Sequence, residues 1–182
     1  MTVMVNFSGG IDSTLVALKA LQTDHNIILH HVILKNKMNR WRPELKAVQR
    51  LLSLFEQDYS FEYIETTLDT NNINMTYDSL YTTQMASAIC FSRQHFKAIH
   101  EVWMGFNKDD NLAFFDYQRV LEAPFNNPPK LIMPLKNKTK KEIIKELPDK
   151  YLQECFWCRT PNKNGTPCCN CHACRLYQRS KG

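Results

Sequence analysis

Two hydroxyls, a carboxylate and a pair of glycines fall within six residues at Ser8-Gly9-Gly10-Ile11-Asp12-Ser13. The apolar run Val3-Met4-Val5-Asn6-Phe7 ahead of them reads as a strand, and Ile11 to Leu21 carries helix-forming residues. A strand that feeds a Gly-rich turn and a helix N-terminus leaves backbone N–H groups exposed at the positive end of the helix dipole, which makes an anion site. Gly9 and Gly10 let the backbone approach a phosphate closely, Ser8 and Ser13 add hydroxyl donors, and Asp12 can cap the helix or orient a metal ion. The spacing is not that of a Walker A loop, which is longer and ends in Gly-Lys-Ser/Thr.

A second group of reactive side chains lies at the other end. Six of the seven cysteines fall between Cys155 and Cys174. An odd total, clustered at one end and without a secretion signal, points to metal ligation rather than to disulfides. Cys168, Cys171 and Cys174 make two C-x-x-C steps that seat sulfurs on adjacent corners of a tetrahedron, and one upstream sulfur closes it. The expected site is Zn²⁺ held by Cys158, Cys168, Cys171 and Cys174, with Cys155 the rival for the fourth place and His172 a less favoured ligand. Thiolates also suit an iron–sulfur cluster. Cys169 is expected to point away. A reactive thiol at Cys155 or Cys169 is a further reading, and Cys90, on an apolar helix face, belongs to the core.

The elements that must position these groups follow from periodicity. Ile27 to Leu34 reads as a second buried strand, Phe61 to Ile64 as a third and Val102 to Phe106 as a fourth, with a short apolar segment at Leu131 to Leu135. Leu45, Val48, Leu51, Leu52 and Phe55 recur at helical spacing, with Pro43 suited to a first turn. Met85 to His100 reads as a long helix. Thr139 and Glu142 form a capping box that opens a helix running to Leu147. Residues 68–84 and 121–130 read as polar loops. Strands alternating with helices imply an α/β fold, a Rossmann-like parallel sheet with helices on both faces, whose ligands bind beyond the carboxyl ends of the strands. Ser8-Gly9-Gly10 and Gly105-Phe106-Asn107 both follow strands and so fall at that edge. The expected organisation is a nucleotide-binding domain over 1–150 and a zinc knuckle over 151–182 packed on it.

The 182 residues suffice for one core, and 43% hydrophobic with 23% charged residues is ordinary for a globular chain. No apolar stretch approaches a membrane span, and strand residues begin almost at Met1, so the expectation is a cytoplasmic protein with no membrane partner. A net charge of +5 fits a polyanion site without arguing by itself for nucleic acid. Lys136, Lys138, Lys140, Lys141 and Lys145 crowd one segment.

Together these features resemble the 7-cyano-7-deazaguanine synthase family of pyrophosphate-loop ATPases. That family pairs an N-terminal S-G-G-x-D-S loop with a knuckle of the form C-G-x-C-x-x-C-x-x-R. Here the knuckle reads Cys168-Cys169-Asn170-Cys171-His172-Ala173-Cys174-Arg175, with Cys169 in place of the glycine, and Cys158-Arg159-Thr160-Pro161 resembles an upstream C-x-x-P. Met104-Gly105-Phe106-Asn107-Lys108-Asp109-Asp110 is similar to I-G-x-N-x-x-D, with Asp116 near a later aspartate. Pro134-Leu135 followed by Thr139-Lys140-Lys141-Glu142-Ile143 resembles P-L…T-K-x-E-I, and Arg42 with Glu44 loosely matches a basic-then-acidic helix start. The aromatic-Gly and Arg-Asn elements expected near the substrate are absent from 34–42 and 79–90.

The resemblance implies ATP bound by Ser8, Gly9, Gly10, Ile11, Asp12 and Ser13, with Mg²⁺ oriented by Asp12, and Lys140 and Asp110 joining Asp12 in catalysis. Gly105, Asn107 and Asp110 would contact a 7-deazaguanine substrate, with Phe106, Phe114 or Phe115 available for stacking. The implied reaction adenylates 7-carboxy-7-deazaguanine and adds ammonia to give the amide and then the nitrile, for queuosine or deazaguanine modification of nucleic acid. A homodimer is compatible with the sequence, which does not itself fix the oligomeric state. Two other readings compete: a pyrophosphate-loop enzyme that thiolates tRNA through a persulfide, and a non-catalytic zinc and nucleic-acid-binding module.

Overall fold

The computed structural model describes residues 1–71, 78–95, 97–110 and 116–181. Five parallel strands form one sheet in the order β3-β2-β1-β4-β5: β1 (Thr2–Asn6), β2 (Asn26–Lys35), β3 (Glu62–Asp69), β4 (Glu101–Trp103) and β5 (Lys130–Ile132). The chain goes from β1 to β2 on one side and returns to β4 on the other. The carboxyl ends of β1 and β4 therefore flank a topological switch point, where such sheets open a crevice.

Alternation along the strands divides the core. Val3, Val5, Ile27 and Leu29 face one layer, which holds α1 (Ile11–Leu21), α2 (Trp41–Phe55), α5 (Lys140–Glu146) and α6 (Asp149–Leu152) through Leu15, Val48, Leu51, Phe55, Ile143 and Tyr151. Met4, Ile28 and Val102 face the other layer, where α3 (Asp78–Arg93) and α4 (Tyr117–Glu122) contribute Ala86, Cys90 and Leu121. Helices thus cover both faces of a Rossmann-like parallel sheet, as the alternation of elements implies. Cys90 is core. α7 (His172–Lys181) closes the described chain, with Tyr177 packed against the first layer.

Three expected boundaries move. β3 runs on to Asp69: Glu65, Thr67 and Asp69 alternate outward on a strand that pairs only with β2, so polar residues extend it past the apolar run at Phe61 to Ile64. The helix expected over 85–100 instead spans Asp78–Arg93. Its polar first turns look like loop, but Thr82 and Thr83 direct their hydroxyls back to the Ser79 carbonyl at 3.0 and 2.8 Å, and Ser87 bonds the Leu121 carbonyl at 2.9 Å. β4 stops at Trp103, two residues short of Gly105. The capping box forms as expected: Thr139 Oγ1 accepts from Glu142 N, and Glu142 Oε2 accepts from Thr139 N at 2.7 Å.

Candidate functional site

Gly9 shows why the turn after β1 needs its glycines. Its φ is +71°, and a Cβ there would lie 3.0 Å from Val48 Cγ2 and 3.1 Å from Val48 N, so the turn is pressed onto α2. Gly10 then caps α1, its carbonyl accepting from Thr14 N at 2.9 Å, Thr14 Oγ1 at 2.8 Å and Ser13 Oγ at 3.1 Å. Ser13 Oγ also takes the Ser8 N–H at 3.1 Å and meets Ser8 Oγ at 3.0 Å. The serine hydroxyls thus brace the loop from within. The N–H groups of Ile11, Asp12 and Ser13 donate to no acceptor among the described residues, the standard orphan donors of a helix start.

Gly105 joins this cradle from β4. A Cβ on it would sit 2.9 Å from Ser13 N and 3.0 Å from Asp12 C, so only a glycine lets the two loops meet. Asn107 is buried and acts within its own turn: its Oδ1 accepts from Asp109 N at 2.7 Å, and its N–H donates to Asp110 Oδ2 at 2.9 Å. Lys140 bonds Asp109 Oδ2 through its backbone N–H at 2.7 Å and pairs with Asp12 Oδ2 through Nζ. Asp12 therefore does not cap α1.

These groups surround one cavity of about 350 Å³, lined by Ser8, Gly10, Asp12, Ser13, Gly105 and Asp110, and by Arg40, Glu44, Asp78 and Arg159. Asn107 lies behind this wall rather than in it, the Ile11 side chain belongs to the core, and Phe106 lines the cavity with its ring 4.7 Å from that of Tyr117. Phe114 and Phe115 fall outside the described residues. Asp116 serves α4, its Oδ1 accepting from Arg119 N at 3.0 Å.

The electrostatics of the cavity favour a cation beside any polyphosphate. Four carboxylates face two arginines there. Asp12 Oδ1 is buried without a hydrogen-bond partner. Burial pushes the Asp110 pKa up against the pull of the Asn107 N–H, and the neighbouring Asp12 charge adds to the rise. Two under-satisfied carboxylates beside a phosphate cradle are a donor set that fits Mg²⁺, which binds one or two carboxylates together with substrate phosphates.

At the other end, Cys158, Cys168, Cys171 and Cys174 bring their sulfurs within 4.8 Å of one another. Cys158 Sγ lies 3.6 Å from Cys168 Sγ and 3.9 Å from Cys171 Sγ, too far for disulfides and close to the edge of about 3.8 Å that a Zn–S tetrahedron requires. Cys171 N and Asn170 N donate to Cys168 Sγ at 3.2 and 3.4 Å, and the Thr160 hydroxyl meets it at 3.3 Å. With Thr160 first, these contacts hold the Cys168 thiol down to about 6, toward the thiolate that metal binding needs. The four sulfurs fit zinc. Cys155 is not among them: it is buried, with its thiol on Thr14 Oγ1 at 3.4 Å and the Tyr151 carbonyl at 3.3 Å, and burial pushes it up to about 12. Cys169 is exposed at a φ of +59°.

Sequence reasoning passed over Arg40 and Asp78. The structure pairs Glu44 with Arg40, whereas Arg42 is exposed and sits over the Trp41 ring at 5.1 Å. The i,i+4 spacing of Arg40 and Glu44 was the available signal.

No protein-family model matches the chain. The resemblance read from the sequence is met by a curated relative, the 7-cyano-7-deazaguanine synthase of Methanothrix thermoacetophila. It is 24% identical over 170 residues, spanning 76% of this chain and 75% of the relative. Among solved structures, a predicted subunit of tRNA methyltransferase from Methanocaldococcus jannaschii superposes with a TM-score of 0.50 at 21% identity, over 79% of this chain and 72% of that one. NMN synthetase from Francisella tularensis aligns with a TM-score of 0.48 at 13% identity, over 92% of this chain and 70% of that one. The first of these structures supports the fold.

Proposed function

We propose that the chain is an ATP-dependent 7-cyano-7-deazaguanine synthase, a C–N ligase that activates 7-carboxy-7-deazaguanine and adds ammonia. The observation that carries this reading is the cradle itself: three unpaired helix-start N–H groups and two serines beside the converging carboxylates of Asp12 and Asp110. The relative of that name adds support.

A carboxylate is a poor electrophile because oxide would have to leave. Attack of the substrate carboxylate on the α-phosphorus of ATP forms an acyl-adenylate and releases pyrophosphate. Ammonia then displaces AMP to give the amide. A second adenylation, on the amide oxygen, lets AMP depart with loss of the nitrogen protons as the nitrile forms. The residues supply position and charge. The helix-start N–H groups of Ile11, Asp12 and Ser13 hold the β and γ phosphates, on a loop that the Ser8 and Ser13 hydroxyls brace from within. Lys140 exchanges Asp12 for a phosphate oxygen. Asp12 and Asp110 would hold Mg²⁺, whose contribution is to neutralise phosphate charge. Asn107 sets Asp110, and Gly105 keeps the substrate loop against the cradle. Residues 1–150 form the nucleotide-binding domain, and residues 151–182 form a knuckle whose four thiolates would hold a structural Zn²⁺. The reaction belongs to the cytoplasm, and its product feeds queuosine or a related modification of nucleic acid. Burial pushes the Cys155 thiol up to about 12 and makes it a poor persulfide carrier, which leaves the exposed Cys169 as the cysteine a sulfur-transfer reading would have to use.

The test is mass spectrometry of a reaction holding protein, ATP, Mg²⁺, an ammonium salt and 7-carboxy-7-deazaguanine. AMP together with the nitrile is the expected result, and AMP with the amide alone would mark a shortened reaction. Unchanged deazaguanine would overturn the proposal. Asp12→Ala should cut AMP formation by about 10²–10³-fold with the far-UV circular dichroism unchanged.

A further inference from the structure

One charge cluster in the cavity has no task in the chemistry above. Arg40 and Glu44 stand one turn apart at the start of α2, with Nε and Oε1 3.0 Å apart, and Arg40 Nη1 reaches Asp78 Oδ2 at 2.9 Å, at the start of α3. All three line the cavity. Glu44 is 8% exposed, and burial pushes its pKa up even with Arg40 beside it. Taking three charges out of water is costly, and a pair that served only to join two helices would be closed off from the cavity. This one is not. The Asp78 side chain keeps 23% of its exposure.

The cluster is also unbalanced. The Arg40 guanidinium lies within ion-pair distance of both carboxylates while its Nε completes no hydrogen bond. The only other guanidinium lining the cavity among the described residues, Arg159, adds its charge to Glu44. Among the described residues neither carboxylate has another hydrogen-bond donor. What remains on Asp78 is acceptor capacity, on a carboxylate that pairs with Arg40 and lines the cavity. A carboxylate offers two parallel acceptors, and its complement is a pair of N–H donors on neighbouring atoms. A 2-aminopyrimidin-4-one ring carries such a pair, in its ring N–H and its exocyclic amino group. Phe106 in the same cavity offers a face for such a ring.

We propose that Asp78 reads the 2-amino edge of the heterocyclic substrate, with Arg40 and Glu44 as positioning residues that fix its carboxylate. The inference rests on the deazaguanine reading of the site and adds to it the residue that sets ring specificity. A site built around a charged acceptor rejects a ligand that lacks the matching donor, because the acceptor is then left desolvated and unpaired.

The test compares 7-carboxy-7-deazaguanine with its analogue lacking the 2-amino group, scored by AMP release at saturating ATP. The wild-type protein should prefer the amino compound by roughly 10- to 150-fold in kcat/KM, the range for one hydrogen bond to a charged group. Asp78→Asn keeps the volume but replaces an acceptor oxygen with a donor. It should lose most of that preference by slowing the amino compound alone, with ATP binding unchanged. Glu44→Gln should shrink the same ratio, which a merely structural pair would leave alone. Equal slowing of both compounds by Asp78→Asn, or a wild-type protein that does not discriminate, would overturn the inference while the functional proposal stands. Turnover of neither compound by the wild type would overturn both.

Discussion

His30 and His31 interrupt the apolar run of β2 just below the phosphate cradle, and both are buried. His30 Nδ1 meets Asn6 Oδ1 at 3.4 Å, and its Nε2 meets Thr66 Oγ1 at 2.9 Å, an arrangement that a neutral ring satisfies. Burial, with His31 beside it, holds the His30 pKa down to about 4. The folded state therefore keeps the neutral ring while the unfolded chain takes up a proton near 6.5. Stability from this residue is fully present above pH 6.5 and is lost as pH falls toward 4, by about 3 kcal/mol at the lower end. Chemical denaturation at pH 7 and pH 4.5 should show that loss, and His30→Gln should flatten it; parallel losses in the two proteins would exclude His30 as the source. Single residues were legible in the sequence where the motif was local. Ser8 to Ser13 and the four sulfurs come together as their spacing implied. The pairing of Arg40 with Asp78 was not legible, because it joins two helices through a packing arrangement that no spacing encodes.

At the scale of elements, periodicity found the helices that rest on an apolar stripe and missed those that do not. α2 was readable from its stripe, α1 from the helix formers after its glycines and α5 from its capping box, but α7 buries only Cys174 and has no stripe to read. It is held instead by the sulfur cluster and by Tyr177 stacked on Trp157 at a centroid distance of 3.9 Å. The knuckle turn that leads into α7 carries a local conflict. Cys169 occupies a left-handed conformation, φ +59°, at the position where the resemblance puts glycine. A non-glycine residue there pays about 1–2 kcal/mol, part of which glycine returns through the greater freedom of its unfolded chain. Cys169→Gly should therefore stabilise the protein by about 0.5–1 kcal/mol, seen as a rise of a few degrees in Tm. Its sulfur is outside the four-sulfur cluster, so bound zinc should not change. A fall in Tm would mean that the turn is held by contacts of the Cys169 side chain.

For the molecule as a whole, the two motifs at the chain's ends are mechanically joined. Phe156 N donates to the Gly9 carbonyl at 2.9 Å, and Cys155 Sγ reaches Thr14 Oγ1 at 3.4 Å, so the segment leading to Cys158 lies on the turn proposed to cradle phosphate. The next residue, Arg159, lines the cavity. Tyr151, Leu152 and Cys155 share the layer of core that holds α1. Fixing Cys158 to three sulfurs beyond it therefore fixes the back of the glycine turn, and a metal there would set the proposed ATP site from a distance without touching ATP. With zinc removed by a chelator, the sheet and its two apolar layers should persist, because none of the strands depends on the sulfurs. The Gly9–Phe156 contact and the place of Arg159 should loosen. The expected result is one zinc per chain by elemental analysis, near-native far-UV circular dichroism after removal, and ATP affinity weaker by about tenfold, equivalent to about 1.4 kcal/mol and within the worth of one hydrogen bond. Cys171→Ser, which removes one of the four sulfurs, should reproduce the loss. Unchanged ATP affinity in both the chelated protein and the variant would make the knuckle a clamp for α7 alone, with the cradle held by its own glycines and serines.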